Sequence, residues 1–210
     1  MPLPRQVDAR LCEFFIRLAE GEKERIRRFA ARWGPLHYPR SDVVLPGTET
    51  ETVEAWQRFA TLARALLRCS AAFGRGEYGI AEDWQTIALW LGIPTEARPR
   101  PAYRRILLAQ ALNLWYARSP GNALVTLHKN KIVLQSSSTS LFGIIGVQLA
   151  QRITNRAVLV CYHCNRVYWS QNPPRTGVRH FCSPCQADRK PEMYAMRALA
   201  RDSRAHDEPR

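Results

Sequence analysis

Four of the six cysteines fall within 25 residues, as Cys161-Tyr-His-Cys164 and Cys182-Ser-Pro-Cys185 with 17 residues between the pairs. A Cys-x-x-Cys turn delivers two thiolates from one tight knuckle. Zinc takes four soft or borderline ligands at tetrahedral corners, so two such turns complete a closed structural site for one Zn²⁺ ion. A redox pair would sit beside a βαβ pattern, which this stretch lacks, and disulfides belong to oxidising compartments. With four thiolates in place, His163 and His180 read as neighbours of the site rather than ligands. A catalytic zinc keeps an open position, which four protein ligands would close, so no catalytic residue is assigned here. Cys12 and Cys69 stand alone in helical patterns and read as small buried hydrophobes.

The elements around the cysteines follow from the residues between and after them. Val167-Tyr168-Trp169 reads as a strand, 171–177 with Pro173, Pro174 and Gly177 as a turn, and 178–181 as the returning strand. Beyond Cys185 the pattern is helical, with a kink or restart expected at Pro191 and a helix running to about residue 205. Knuckle, hairpin and a helix carrying the second ligand pair make a treble-clef-like finger. Lys190, Tyr194, Arg197, Arg201 and Arg204 recur at 4-3-4-3 spacing on one stripe of that last helix, with Met193, Met196, Leu199 and Ala200 beside them. Together with Arg189, the stripe reads as a phosphate-contacting element. It reads equally as a solvated helix docked by its methionines on the helical domain.

Upstream, residues 7–118 carry helical periodicity. Leu11, Phe14, Phe15 and Leu18 mark a first helix, and Ile26, Phe29, Ala30 and Trp33 a second that stops at Gly34-Pro35. A long third helix begins near Thr50, with Glu51 and Glu54 suited to its first turn, and ends at Gly74-Arg75-Gly76. Residues 81–91 and 102–116 give two more. The aromatic stripes on these helices read as core rather than as a ligand pocket. A β-hairpin is expected over about 123–135, turning at Lys129-Asn130, and a helix over about 141–154. Gly143 and Gly146 suit that helix only where another backbone packs close. The fold class is therefore mainly α with a small β-hairpin: a mostly helical domain over 1–155, the four-cysteine finger over 156–190, and a basic helix and tail over 191–210.

Thirty-one basic side chains against 18 acidic ones give a net charge of +13. Residues 150–210 alone hold eleven basic and five acidic ones. Such a balance favours a polyanionic partner, because each neutralised phosphate releases counterions. Arginine abundance from GC-rich coding is the competing explanation. The longest apolar run, 141–150, is far short of the about 20 residues a membrane span needs, so no membrane partner is expected. The first residues lack the apolar stretch of a secretory signal, and a cytoplasmic location is expected.

Phe29-Ala-Ala-Arg-Trp-Gly-Pro-Leu36, the Glu-rich start before Trp56, and Leu141-Phe-Gly-Ile-Ile-Gly-Val-Gln-Leu-Ala150 ahead of a Cys-x-x-Cys resemble a group of bacterial proteins. They are similar to the CGNR zinc-finger (ABATE-type) transcription regulators. The resemblance implies a helical N-terminal region, zinc held by Cys161, Cys164, Cys182 and Cys185, and DNA binding. The chain departs from the family pattern after the last cysteine, where only Arg189 matches the CGNR tetrapeptide and Pro191 interrupts the basic helix. Two functions stay open: a nucleic-acid-binding regulator, with DNA ahead of RNA as partner, and a zinc-stabilised protein-interaction module. Self-association is compatible with either. Neither His-Glu-x-x-His, a P-loop nor a Gly-x-Ser-x-Gly elbow occurs, so an enzyme is not expected.

Overall fold

Residues 53–74 hold six alanines and no proline, and Thr52 caps the run, its Oγ1 accepting the Ala55 N–H at 3.2 Å. The resulting helix, α3 (Val53–Gly74), is the axis of the computed structural model. The structure describes residues 10–36, 51–94, 101–119, 123–128, 131–136, 140–154, 158–170 and 178–207; over 101–102, 123–136 and 199–207 it describes backbone only. Trp56, Phe59, Ala60, Ala63, Leu66, Leu67 and Cys69 of α3 are all buried, so the helix is apolar around most of its circumference, as a central helix must be. Its alanines let neighbours approach. Helices α1 (Leu11–Ile16), α2 (Lys23–Trp33), α4 (Ala81–Leu91), α5 (Pro101–Ala117) and α6 (Leu141–Thr154) all rest on it.

The expected helices are thus present, with shifts at their ends. Glu51 does not serve the first turn of α3. Its carboxylate accepts the Leu36 N–H at 2.8 Å and ties the chain after α2 to the start of α3. The aromatic stripes form core: Trp115 is fully buried, stacks on Phe142 at 4.5 Å and meets Phe59 edge-on at 6.0 Å. Gly146 of α6 makes room for that indole rather than for a backbone, which corrects the expectation. A Cβ there would lie 2.7 Å from Trp115 Cδ1. Strands β1 (Ala123–His128) and β2 (Lys131–Ser136) pair antiparallel, Ala123 opposite Ser136 and His128 opposite Lys131. The turn at Lys129-Asn130 lies outside the described residues.

The chain then returns to α3. Strand β3 (Val158–Val160) pairs antiparallel with β4 (Val167–Trp169), Val160 opposite Val167, and Val158 and Val167 join the same buried cluster as the helices. This differs from the expected hairpin, in which 167–169 would pair with 178–181. The cysteine knuckle between β3 and β4 itself reverses the chain. It brings its two flanks together across only six residues, a shorter and cheaper closure than the later loop. Residues 178–180 form no strand, and the turn at 171–177 lies outside the described residues.

One acidic group lies inside this architecture. Asp83 is buried at the start of α4, with Oδ2 3.1 Å from Arg68 Nε on α3. Burial pushes its carboxyl up to about 6, although Arg68 and Arg64 pull the other way. The folded chain therefore holds a proton between the ordinary carboxyl value near 4 and about 6 that the unfolded chain has lost. Stability from this group falls as pH rises through that window and is level above it. We expect the stability of the native chain relative to Asp83→Asn to drop by roughly 2–3 kcal/mol between pH 4 and 6.5, read by urea denaturation. The difference between the two chains cancels the other titrations, those of the cysteines included. A difference that stays flat across the window would place the Asp83 carboxyl at its ordinary value.

Candidate metal centre

Each cysteine pair is positioned by a different local device. After β3 the chain enters the knuckle at Cys161, whose N–H donates to the Arg166 carbonyl at 2.9 Å. The Asn165 N–H donates to the Cys161 carbonyl at 3.0 Å, closing the turn. Asn165 itself has φ of 54°, a left-handed position that asparagine tolerates better than most residues. The second pair rides on a short helix, α7 (Ser183–Ala187), with Cys182 at its N-cap, Pro184 in its first turn and Cys185 one turn on. The Gln186 side chain donates to the Phe181 carbonyl at 2.9 Å and fixes the approach to that helix. A backbone bond joins the two halves, Tyr162 N–H to the His180 carbonyl at 2.8 Å.

These devices bring all four sulfurs within 4.8 Å of one another, a group that could hold a metal ion. All four are free thiols, and Cys164 Sγ lies 3.6 Å from Cys182 Sγ, too far for a disulfide. A zinc–sulfur bond of about 2.3 Å in a tetrahedron sets a sulfur–sulfur edge of about 3.8 Å, so the donor set fits a four-thiolate zinc site in type and spacing. Cys161, Cys182 and Cys185 are buried and Cys164 is exposed. Burial raises the Cys161 thiol, but the backbone N–H groups of Cys164, Cys182 and His163 aimed at its sulfur outweigh that and bring it down to about 6. Cys164 and Cys185 go the other way, held up first by burial and then by neighbouring sulfurs. A cation in the middle is what allows all four to ionise together. Neither His163 nor His180 joins the group among the described residues.

The remaining predicted residues lie on α8 (Lys190–Asp207), which restarts after α7 at the expected place. Arg189, at φ 54°, forms the joint, and its Nε pairs with Glu192 Oε2 at 2.8 Å, both side chains exposed. Tyr194 is the main departure from expectation. It is not offered to solvent as part of a stripe but packs on the knuckle, 5.1 Å edge-on from Tyr162 and 5.8 Å from Phe181. Its hydroxyl lies 3.3 Å from His163 Nδ1. The helix is therefore docked by an aromatic on the cysteine module; Met193 is half-buried and Met196 is 64% exposed. Lys190 is half-buried and Arg197 exposed; the side chains of Arg201 and Arg204 lie outside the described residues. Sequence reasoning missed β3, although the Val158-Leu-Val run before Cys161 carried the signal.

Among the described residues no helix is long and apolar enough to cross a membrane. Comparison with protein-family models, with curated proteins and with solved structures found no match to this chain.

Proposed function

We propose that Cys161, Cys164, Cys182 and Cys185 hold one structural zinc ion, and that the finger so formed is the base from which α8 contacts nucleic acid, in a DNA-binding regulator. The observation that carries this reading is the docking of Tyr194 on the four-cysteine cage. It fixes a basic helix to the cage, with Arg197 exposed one turn further on. A helix held in this way can present cations to phosphates without losing much conformational freedom on binding. The net charge of +13 and the exposed Arg25 and Arg28 on α2 supply attraction that does not depend on sequence. The resemblance to CGNR zinc-finger regulators supports the same assignment. Four thiolates fill the coordination sphere, so the reading is of a binding protein rather than an enzyme.

Fluorescence anisotropy with duplex DNA tests it. Binding should weaken by about tenfold or more between 50 and 200 mM salt. Arg197→Ala with Arg201→Ala should weaken it for every sequence and reduce the salt slope by about 2. Affinity indifferent to salt and to both arginines overturns the reading, and a single-stranded RNA arm ranks the two nucleic acids. The exposure of Met196 favours one other function, a zinc-stabilised surface for another protein. That function would survive loss of the arginines and fail with Met196→Lys.

A further inference from the structure

The helical body and the cysteine module do not close on each other completely. Between them lies a cleft of about 550 Å³, within the size range of small-molecule sites. One wall is the end of α3, the loop that follows it and the first turn of α4. The other is the knuckle with residues 178–180. Eight large hydrophobic side chains are exposed among the described residues, and four of them, Tyr78, Ile80, Tyr162 and Val178, line this one cleft. Exposed apolar groups gathered in a concavity mark a binding surface more than scattered ones do.

The polar groups of the cleft are unbalanced. Its two acids are ion-paired, Asp83 with Arg68 at 3.1 Å and Glu77 with Arg75 Nη2 at 2.6 Å, while Asp83 Oδ2 makes no hydrogen bond among the described residues. Two nitrogens, Arg75 Nη1 and His180 Nε2, are also closed off from water and without a hydrogen bond among the described residues. A buried donor without an acceptor is costly, and a small rotation toward an incoming oxygen recovers that cost. Arg179 adds a second guanidinium at the rim, 4.7 Å from the Tyr162 ring centroid. From these observations we infer that the cleft binds a small organic oxyanion, a carboxylate or phosphate head held by Arg75 and His180 with an apolar body against Tyr78, Ile80, Tyr162 and Val178. Its two walls belong to the helical body and the metal module, so the ligand bridges them and resists their separation. This inference does not depend on nucleic-acid binding.

The test uses the full chain, purified with zinc and followed by amide NMR. The probes are phenyl phosphate, benzoate, benzyl alcohol and inorganic phosphate. The expected result is saturable shifts confined to residues 75–83, 160–165 and 178–180 with phenyl phosphate or benzoate, the better of the two identifying the head group. Benzyl alcohol, which lacks the charge, and inorganic phosphate, which lacks the body, should bind at least tenfold more weakly. Arg75→Gln should weaken binding at least tenfold. Val178→Glu, at an exposed position outside the core, should do the same by placing a carboxylate at the mouth, and it decides the matter where Arg75→Gln fails to fold. Shifts spread over the basic surface, equal binding of inorganic phosphate, or affinity untouched by Val178→Glu would each overturn the inference.

Discussion

Removing the metal from the zinc-loaded protein is expected to strip amide-exchange protection from residues 161–166 and 178–194 while leaving α3 protected. The reason lies in the sizes of the two apolar clusters. Helices α1 to α6 share a core with Trp56, Phe59, Leu66, Trp115 and Phe142 at its centre, and the ribbon of β3 and β4 is sewn into it through Val158 and Val167. The second cluster, among the described residues, contains only Phe181 and three cysteines, Cys161, Cys182 and Cys185, with Tyr168 and Tyr194 against it. So few side chains cannot offset the ordering of about thirty residues. A structural zinc site supplies on the order of 10 kcal/mol or more to the segment it organises, so a zinc ion held by these cysteines would decide between fold and no fold. Cys161→Ser and Cys182→Ser should reproduce the chelated state, each with less than one zinc per chain by elemental analysis. Protection over 161–166 and 178–194 that survives chelation, in protein shown to be metal-free, would mean that packing alone holds the module.

The largest effect in the helical body should come from Trp115→Ala, with a loss of about 3–5 kcal/mol in urea denaturation. The indole is fully buried, stacked on Phe142, and donates its Nε1–H to the Phe142 carbonyl at 3.0 Å. Truncation leaves a cavity among rings already committed to one another, and it removes the indole's hydrogen bond to α6. Gly146 makes the prediction sharper. Alone, Gly146→Ala drives a methyl against the indole edge and should cost about 1–3 kcal/mol. In the Trp115→Ala background the same methyl enters empty space and gains the helix preference of alanine over glycine, close to 1 kcal/mol. The second substitution should thus reverse sign, a coupling that a double-mutant cycle measures directly. Additive losses would show that Gly146 is there for some reason other than Trp115.

How much of this was legible in the sequence depends on the distance over which each signal acts. The four clustered cysteines were plain because the chemistry of a knuckle is written in adjacent residues. The helices were plain because their apolar faces repeat every turn, and Gly34 and Gly74 mark where two of them stop. Strand pairing was half legible: 167–169 read as a strand, but its partner was placed downstream instead of at β3. The docking of Tyr194 was not legible, since an aromatic at stripe spacing looks the same whether solvent or Tyr162 faces it. Nor was the cleft. Arg75 and His180 are more than a hundred residues apart, and only the return of the chain to α3 makes them neighbours. The raised carboxyl of Asp83 belongs to the same class, because burial is a property of the assembled body.

The ribbon of β3 and β4 also governs how the molecule can be divided. Its apolar residues serve the helical body while its loop carries two of the four clustered cysteines, so one short hairpin has two owners. A fragment excised at residue 156 would carry Val158, Leu159 and Val167 into water with nothing to cover them. Excision after the ribbon would instead leave Cys182 and Cys185 with half a coordination shell. The finger is an outgrowth of its host rather than a transplantable cassette, and grafting it elsewhere would require carrying the surface of α3 along with it.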